Sequence, residues 1–511
     1  MRKIEKNVLL TILDGWGLSS SNPKKTGNAI ELAKLKFYNS LVSKFPMSKL
    51  EASQHYVGLL DGYMGSSKVG HMNIGGGRII KQELAIIDEM ITSDSFFKNK
   101  DLLRFIERVP ENKSIHLLGL VSKGGVHSHM NHLIALLKLL KEKKKKNVYI
   151  HIISDGRDAG RKSGGRCINE LEKAIKKLKI GEIVSLIGRF YAMDRDKRWD
   201  RTKKAYDLYV NGIGKKSLDW KKTIKELYKK DITDEFFEPI LFDKNGIIKN
   251  GDSVINFNFR SDRMRQLTKA FLGQLEKPIQ KDFEKIKVNH FSFIPFYPEY
   301  KGGFLINPPI PKNTLGEIIS KTGLTQLRIA ESEKYAHVTY FFSGKKEDMF
   351  KGETRKIIPS PKVRTYDLKP EMSAYEITDY VTNAIKKNKF NIIIQNYANG
   401  DMVGHTGNLK AGLKAVKVVD SCLEKIYKTL DFSKWVWIIT ADHGNIEQMI
   451  DAKGNPHTSH TLNKVPFIIV SADTKKIKLK PTGVLGNIAP TILDYLEIRK
   501  PKEMIDSLIR K

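Results

Sequence analysis

Short apolar runs of strand length alternate with helix-like patterns along most of this chain, and this alternation restricts the fold to few architectures. In the two terminal blocks the runs are Val8–Leu13, Asn391–Gln395, Val436–Thr440 and Val465–Val470. Strands that alternate with helices predict parallel sheets covered by helices, the α/β class. Such sheets bind ligands beyond the carboxyl ends of their strands. Asp14, Asp401 and Asp442 each follow such an end, so we expect the three carboxylates to converge.

The middle of the chain carries a second series of the same kind. Its strand-like runs are Ser114–Val121, Val148–Ile153, Glu182–Ile187 and Ser253–Phe259, each followed by a turn and a helical pattern. Glycine- and proline-rich stretches border the series at residues 75–77 and 307–311. We therefore predict two α/β domains. A discontinuous domain comprises residues 1–77 and 311–511, and an inserted domain spans residues 78–310.

The net charge of +32 raises the question of nucleic-acid binding, because clustered cations release counterions from a phosphate backbone. The lysines are scattered along predicted helix surfaces, and the dense run at residues 141–146 ends an amphipathic helix, where cations complement the helix dipole. A solvated surface is the favoured interpretation, with a general attraction of small anions as the alternative. We expect no nucleic-acid partner.

The apolar runs are too short to cross a bilayer, so we expect no membrane partner. Residues 2–13 have the basic and apolar character of a secretory leader, but the apolar part is short and ends at Asp14 without a small-residue cleavage site. Two cysteines, Cys167 and Cys422, argue against a disulfide framework or a cysteine metal site. The expected location is the cytoplasm.

Carboxylates and imidazoles in short motifs are the candidate metal ligands. They are Asp14, Asp401, His405, Asp442, His443 and His460. Divalent metals held in this way can deprotonate a bound hydroxyl and neutralise a phosphoryl group. Manganese, zinc and magnesium all suit such ligands. A single aspartate after a strand is more often a helix cap, so the prediction depends on several ligands occurring together.

The run Gly65-Ser66-Ser67-Lys68-Val69-Gly70-His71 supplies a hydroxyl for such metals to activate. Its two serines are adjacent, and either of them could instead cap a turn. Glycines at positions 62, 65 and 70 permit the sharp backbone that would present one serine as a nucleophile. The residues alone leave open which serine that is.

A set of arginines in the middle block forms a second candidate site. Its members are Arg157 with Asp158, Arg189, Arg195, Arg260 and Arg263. Arginine binds carboxylate and phosphate bidentately. Every one of these arginines has an aspartate nearby in the sequence, so a surface ion pair is the simpler interpretation for any single one. Because they fall just after predicted strands, we predict an anion pocket.

Histidines and one lysine complete the candidates. His127, His129 and His132 lack a paired carboxylate and open a helix, so substrate binding or proton transfer by one of them is favoured over a zinc site, and His132 is expected to be structural. Lys334 lies between Glu331 and His337 and could reach a transferring phosphoryl group. A solvent-facing lysine is the alternative.

Taken in order, these motifs resemble the 2,3-bisphosphoglycerate-independent phosphoglycerate mutases of the alkaline phosphatase superfamily. The resemblance covers essentially the whole chain. The motifs are Asp14–Gly17, Gly65–His71, the arginine set, Glu333–Thr339, Ile358–Val363, Thr365–Asp367, Asp401–His405, Ala441–Gly444 and His460–Pro466. The metal motifs alone indicate the superfamily, whereas the arginine set together with Glu333–Thr339 is specific to this family.

The resemblance implies an alkaline-phosphatase-like domain interrupted by a transferase-like domain, acting as a monomer that interconverts 3-phosphoglycerate and 2-phosphoglycerate without 2,3-bisphosphoglycerate. It implies two manganese ions, one held by Asp401, His405 and His460, the other by Asp14, Ser67, Asp442 and His443. Ser67 becomes the nucleophile by register. The implied substrate ligands are His127, Arg157, Asp158, Arg189, Arg195, Arg260, Arg263 and Lys334.

The chain departs from the family pattern at Ser66, where the family usually has Asn, at Lys68, where it has Glu, and at residues 159–161. Two other functions are therefore kept as alternatives. A phosphomonoesterase or phosphopentomutase would keep the metal ligands without this arginine set. A basic binding protein with a decayed site would bind nucleic acid without a metal.

Overall fold

The computed structural model describes residues 6–308 and 310–510, which form two compact units. The first comprises Met1–Gln82 and Ile310–Lys511, and the second comprises Glu83–Pro309. The chain thus leaves the first unit after Gln82 and returns to it at Ile310. The sequence predicted these two crossings after residues 77 and 310. Each unit contains one eight-stranded sheet with helices, so the prediction of two α/β domains, one interrupted by the other, is confirmed.

The strands of the two sheets are short. They are β1 Asn7–Leu13, β2 Met47–Glu51, β3 Ile115–Leu120, β4 Val148–Ser154, β5 Glu182–Gly188, β6 Lys215–Lys216, β7 Ile240–Leu241, β8 Ser253–Asn256, β9 Asn289–Ser292, β10 Gly303–Phe304, β11 Gln326–Glu331, β12 Glu353–Ile358, β13 Ile392–Tyr397, β14 Trp435–Thr440, β15 Val465–Val470 and β16 Thr482–Val484.

Helices occur in most of the connections between these strands. They are α1 Pro23–Thr26, α2 Ala29–Leu32, α3 Lys36–Lys44, α4 Ser67–Gly76, α5 Glu83–Thr92, α6 Lys100–Glu107, α7 Met130–Glu142, α8 Gly164–Leu178, α9 Arg189–Ala192, α10 Trp199–Asn211, α11 Trp220–Lys229, α12 Arg265–Phe271, α13 Lys277–Gln280, α14 Leu315–Lys321, α15 Ala374–Lys386, α16 Asn399–Gly404, α17 Leu409–Thr429 and α18 Ile488–Tyr495. Among the described residues, none of these helices combines the length and apolar character that a membrane crossing requires.

The sheet of the first unit has the strand order β12-β11-β13-β1-β14-β15-β2-β16. From β12 to β14 neighbouring strands are parallel. The central strands β1, β13 and β14 are buried along their whole length, as expected for a parallel sheet covered on both faces. In this arrangement the carboxyl ends of three neighbouring strands, β13, β1 and β14, lie at one edge.

Strand β15 differs from the prediction because it runs antiparallel to β14. Its bounds, Val465–Val470, are those that the apolar run predicts. The connection from β14 to β15, residues 441–464, contains no helix. Without a crossover helix the chain returns along the neighbouring strand in the opposite direction. The consequence is that two ligand motifs, at the two ends of this connection, lie at the same edge of the sheet.

The sheet of the second unit has the strand order β10-β9-β8-β3-β4-β5-β7-β6 and is parallel from β10 to β5. Strand β8 ends at Asn256, earlier than the predicted run to Phe259. The arginines predicted to bind an anion follow β4, β5 and β8. Parallel strands bring their carboxyl ends together, so the topology gathers these arginines at one edge.

A buried histidine pair lies within the sheet of the second unit, with His116 on β3 and His151 on the neighbouring strand β4. His116 Nδ1 lies 3.0 Å from His151 Nε2, and His116 Nε2 lies 3.2 Å from Asp252 Oδ2. His151 Nδ1 lies 2.8 Å from Ser185 Oγ. Burial lowers the pKa of both imidazoles, and the charge of His116 lowers the pKa of His151 further, while Asp252 partly offsets the effect at His116. Both rings are therefore neutral near neutral pH.

This pair predicts a loss of stability in mild acid. Each histidine has a lower pKa in the folded chain than in the unfolded chain, so below about pH 6.5 the unfolded state binds more protons and the free energy of unfolding falls. Urea unfolding should show this decline as the pH falls from about 7 to about 5.5. The variant His151→Gln, which cannot titrate at this position, should show a shallower decline. Equal slopes for the two proteins would contradict the assignment.

Candidate active site

Three buried aspartates follow the carboxyl ends of neighbouring parallel strands in the first unit. Asp14 follows β1, Asp401 lies in the short helix α16 after β13, and Asp442 follows β14. All three side chains are buried. The parallel register of β1 with β13 and with β14 sets their positions, since it brings the strand ends level with one another.

Helix α4 brings Ser67 to these carboxylates. Ser66 is the N-cap of the helix, and its hydroxyl accepts a hydrogen bond from the backbone N–H of Val69. Ser67 is the first helical residue, and its Oγ donates to Asp14 Oδ1 at 3.0 Å and lies 3.0 Å from His443 Nε2. The two serines therefore have different environments, and only the Ser67 hydroxyl faces the candidate ligands.

Two glycines allow this close approach. A Cβ on Gly70 would lie 2.5 Å from the carbonyl oxygen of Asp442, so only glycine lets α4 pack directly on Asp442. Gly15 has φ +72°, and a Cβ there would lie 2.7 Å from the Cα of Asp401. Gly62 also has a positive φ, whereas Gly65 and Gly70 do not. The glycines of the serine motif thus serve mainly close packing rather than a sharp turn.

The ammonium of Lys334 lies at the centre of the cluster. It donates to Asp14 Oδ1 at 2.7 Å, to Ser67 Oγ at 2.7 Å and to Asp401 Oδ2 at 2.5 Å. The side chain is 3% exposed, so the interpretation as a solvent-facing lysine is wrong for this structure. Burial opposes its charge, but Asp14 and Asp401 outweigh burial and raise the pKa of Lys334 above its ordinary value.

Three histidines present the same ring nitrogen to the carboxylates. His405 Nε2 and His460 Nε2 lie 3.1 Å and 3.0 Å from Asp401 Oδ1, and His443 Nε2 lies 3.4 Å from Asp14 Oδ1. Their Nδ1 atoms face backbone carbonyls, those of Thr458, Gly65 and Gly444 respectively. An Nδ1–H that donates to a carbonyl leaves the Nε2 lone pair free to bind a metal.

The charges of the cluster shift the pKa values of its members. Burial opposes ionisation of Asp14 and Asp401, but Lys334 and the neighbouring histidines together outweigh it and hold both pKa values well below the ordinary range. Burial also opposes protonation of His443, but Asp442 and Asp14 raise its pKa to about 10. The positively charged side chains of Lys334 and His443 therefore lie where the negative charge of the aspartates is concentrated.

These residues fit divalent metal ions. Asp401, His405 and His460 place ligand atoms within 4.8 Å of one another, and so do Asp14, Asp401 and His443. Asp442 Oδ2 is buried and lies 3.0 Å from His71 Nδ1, which also faces the carbonyl of Ser67, and 3.7 Å from His443 Nε2. Grouped carboxylate oxygens and imidazole Nε2 atoms are ligands that divalent cations bind. Lys334 and a protonated His443 together supply fewer positive charges than the three buried carboxylates supply negative ones.

Three arginines of the second-unit set form ion pairs with aspartates, and the other two contact a glutamate and a backbone carbonyl. Arg189 is buried and donates to Asp155 Oδ1 at 2.7 Å and also to Asp158. Arg195 donates to Asp262 Oδ2 at 2.9 Å, and Arg260 donates to Asp262 Oδ1 at 3.0 Å. Arg157 lies 3.7 Å from Glu235, and Arg263 donates to the carbonyl of Met193.

The pKa shifts within this set reflect how close its arginines lie to one another. Burial lowers the pKa of Arg263, and three positive charges, those of Arg195, Arg189 and Arg157, lower it further. His127 is buried, and its pKa falls to about 3 because of burial and of the charge of Arg260. Three of the arginines thus form ion pairs with aspartates, and the members of the set still lie close enough to repel one another. A cluster of this kind favours a bound anion.

The other candidate histidines lie outside these two clusters. His129 is the N-cap of α7, and the buried His132 contacts Asp88 of α5 at 2.7 Å. His127 differs from both, since its Nε2 lies 3.6 Å from Asp158 Oδ2.

Glu331 accepts from Ser360 Oγ at 2.8 Å, and burial raises the pKa of Glu331 to about 7.

Several residues that support the first cluster were missed by sequence reasoning. His71 Nδ1 faces the carbonyl of Ser67 at 2.9 Å, and its Nε2 lies 3.1 Å from Asn396 Nδ2. Asn396 in turn donates to Asp14 Oδ2 at 2.8 Å. Spacing offered one signal, because His71 lies one helical turn after Ser67. The position of Asn396 within an apolar strand carried none.

The fold and the cluster define an α/β protein in which a serine hydroxyl lies among buried carboxylates and imidazoles. Comparison with known proteins gives the family. The family described as "BPG-independent PGAM N-terminus (iPGM_N)" matches residues 87–299. The 2,3-bisphosphoglycerate-independent phosphoglycerate mutase of Clostridium tetani is 46% identical, over 98% of each chain, and that of Clostridium perfringens is 47% identical over the same shares.

A solved structure agrees with these relatives. It is that of Leishmania mexicana phosphoglycerate mutase at low cobalt concentration, which is 30% identical with a TM-score of 0.78 and covers 99% of this chain and 98% of that chain. The chain belongs to the family of 2,3-bisphosphoglycerate-independent phosphoglycerate mutases and is therefore an isomerase.

The packing of α4 on Asp442 can be tested with Gly70→Ala. The added Cβ would lie 2.5 Å from the Asp442 carbonyl oxygen, so the helix and its serine must move, at a cost of about 1–3 kcal/mol in stability. We expect mutase activity to fall at least about tenfold, because displacements near 1 Å cost up to about a hundredfold. Gly76→Ala is the control on the same helix, since its Cβ would meet only the Ile80 side chain. Equal activity of the two variants would refute the packing argument.

Proposed function

We propose that this protein interconverts 3-phosphoglycerate and 2-phosphoglycerate in glycolysis and gluconeogenesis, through a phosphoserine at Ser67 and without 2,3-bisphosphoglycerate. The observation that carries the proposal is the position of Ser67 Oγ, which contacts Asp14, His443 and Lys334 at 3.0, 3.0 and 2.7 Å. The names of the relatives support the reaction. We further propose that the enzyme acts in the cytoplasm as a monomer, with a small-molecule substrate.

Two divalent cations, which we propose to be Mn²⁺, would be held by the residues that converge on Asp401 and on Asp14. The first set is Asp401, His405 and His460, and the second is Asp14, Ser67, Asp442 and His443. When bound, such cations would lower the pKa of the serine hydroxyl and neutralise charge on the transferred phosphoryl group. The burial of the three carboxylates and the Nε2 atoms that face them support these assignments.

In the proposed reaction Ser67 Oγ attacks the phosphorus of phosphoglycerate and loses its proton. The bond between phosphorus and the glycerate oxygen breaks, and that oxygen takes up a proton. The other hydroxyl of the glycerate then attacks the phosphorus of the phosphoserine and loses its proton. The bond between phosphorus and Ser67 Oγ breaks and Oγ takes up a proton, which restores Ser67. Lys334, whose ammonium already donates to Ser67 Oγ, would stabilise the negative charge on the oxygens that surround the phosphorus in both half-reactions.

The arginine cluster of the second unit would bind the substrate. We assign this role to His127, Arg157, Asp158, Arg189, Arg195, Arg260 and Arg263. Phosphoglycerate carries a carboxylate and a phosphate, and guanidinium groups bind both of these bidentately. A mutase differs from a phosphatase because it keeps the glycerate bound between the two half-reactions. A pocket with several arginines would hold the glycerate in this way. The cluster therefore favours the mutase over the phosphomonoesterase alternative.

The proposal is tested by converting 3-phosphoglycerate with purified protein and Mn²⁺, in the absence of 2,3-bisphosphoglycerate. We expect turnover that EDTA abolishes and that Ser67→Ala reduces to below about one-thousandth, because the attacking oxygen is removed. Ser66→Ala is the matched control. It removes only the helix cap, at a cost of about 1 kcal/mol in stability, and should keep most of the activity.

Different failures have different meanings. Turnover that survives Ser67→Ala but not Ser66→Ala would reverse the assignment of the nucleophile. Release of inorganic phosphate without isomerisation would favour the phosphatase alternative. Salt-sensitive binding of nucleic acid without any turnover would favour the basic binding protein.

Substrate binding by the arginine cluster predicts the behaviour of Arg263→Lys. Lysine keeps the charge and loses the planar fork, so we expect the KM for 3-phosphoglycerate to rise about tenfold, with a smaller change in kcat. Arg198→Lys is the control in the same unit, because Arg198 is half exposed and pairs with Asp194 and Asp196. Initial-rate kinetics would contradict the role of Arg263 if both variants kept the parental KM.

A further inference from the structure

Glu447 is a buried carboxylate close to the candidate metal ligands to which no role has been assigned. It follows His443 by four residues and is fully buried. Its Oε2 accepts from the backbone N–H of Gly17 at 3.0 Å and from that of Asn445 at 2.8 Å. Its Oε1 accepts from Asn463 Nδ2 at 2.9 Å and from the hydroxyl of Thr461. Four donors match the acceptor capacity of one carboxylate.

The four donors belong to the loop after β1 and to the two ends of the β14–β15 connection, and each of these three segments carries a candidate ligand. Gly17 lies in the loop that begins with Asp14. Asn445 lies two residues after His443, and Thr461 directly follows His460. One side chain therefore connects the loop after β1 with both ends of the β14–β15 connection. Backbone hydrogen bonds join the same segments, from Ile446 N–H to the Gly15 carbonyl at 3.0 Å and from Thr461 N–H to the Gly444 carbonyl at 3.1 Å, and Glu447 adds the side-chain link at their centre.

Asn445 extends the connection to the fourth ligand-bearing segment. Its side-chain Nδ2 donates to Asp401 Oδ1 at 2.9 Å and lies 3.3 Å from the backbone carbonyl of Asp401. Asp401 is the residue that both His405 and His460 approach. Glu447 is thus linked by hydrogen bonds, directly or through Asn445, to every segment that carries a candidate ligand except α4.

The surrounding glycines show that this position admits the carboxylate and little else. A Cβ on Gly17 would lie 2.3 Å from the carboxyl carbon of Glu447, and a Cβ on Gly444 would lie 2.3 Å from its Oε1. Both glycines have backbone conformations that other residues adopt, since neither has a positive φ. They are therefore required by the close approach of Glu447 rather than by a turn.

We propose that Glu447 is a positioning residue that assembles the ligand loops of the candidate metal centre. It touches neither the ligand atoms nor Ser67, and it acts by holding the Asp14, His443 and His460 loops at fixed separations. Outer-shell partners of this kind typically control metal affinity about ten- to a hundredfold. The inference rests on the proposed function, since it presumes that these residues bind Mn²⁺.

The test is calorimetric titration of Mn²⁺ into the full-length, metal-stripped protein and its variants. In Glu447→Gln one carboxylate oxygen becomes an amide NH2 group, which cannot accept a hydrogen bond. Two of the four hydrogen bonds are therefore lost, while the volume of the side chain stays nearly the same. We expect the Mn²⁺ dissociation constant to rise at least about tenfold, while the KM for 3-phosphoglycerate, measured at saturating metal, stays unchanged. Thr461→Val removes one donor only and serves if Glu447→Gln fails to fold.

Glu353→Gln is the matched control. Glu353 is also a buried carboxylate of the first unit and accepts from Arg355 Nε at 2.6 Å and from the backbone N–H of Phe350 at 3.0 Å, but it lies on β12, away from the ligands. We expect it to lower the melting temperature without altering Mn²⁺ affinity. If the Glu447 variants lose only melting temperature, as this control does, the role is merely structural and the proposal is overturned.

The outcomes separate this inference from the function on which it rests. If the parent protein binds Mn²⁺ and both Glu447→Gln and Thr461→Val bind it equally well, only the role of Glu447 is refuted. If the parent protein binds no Mn²⁺, the proposed metal centre fails and the inference fails with it. A loss of affinity that is larger for Glu447→Gln than for Thr461→Val supports the inference.

Discussion

The structure of the first unit depends on the burial of three carboxylates beside a single buried ammonium. Asp14, Asp401 and Asp442 are buried together, and Lys334 contacts two of them. Buried charges of one sign are costly unless cations compensate them. The raised pKa values of Lys334 and His443 are the consequence in the protein itself. The same excess of negative charge is what a pair of divalent cations would neutralise.

The fold supplies this arrangement through strand order. Because β13, β1 and β14 are neighbours and parallel, three aspartates that are distant in sequence reach one edge. The antiparallel return into β15 then adds His460 to the same edge. Glycines complete the site, since Gly15 and Gly70 permit contacts that any side chain would block. In the second unit the same rule of parallel strands gathers arginines instead of carboxylates, which suits it to an anionic substrate.

Periodicity predicted the α/β class, the two-part organisation and eight of the sixteen strands in the described residues, because those eight are largely apolar runs, whereas strands such as β2, β6 and β12 are rich in charged residues. It did not predict the direction of β15, which depends on the connection lacking a crossover helix. The candidate ligands were visible as motifs because metal chemistry uses few residue types. The supporting residues were not. Asn396 lies within an apolar strand, and the role of Glu447 is visible only in the structure, where three ligand-bearing segments donate to it. Nor could spacing separate Ser66 from Ser67, whereas the helix cap does so directly.

The most direct test of the account is anomalous diffraction at the manganese edge from crystals of the protein soaked with Mn²⁺. The account predicts two peaks, one bound by Asp401, His405 and His460 and the other bound by Asp14, Ser67, Asp442 and His443. Two such peaks would show that the excess of buried negative charge is a metal site. Absence of both peaks, with Lys334 still bonded to Asp14 and Asp401, would show that the lysine alone balances the carboxylates and would contradict the account.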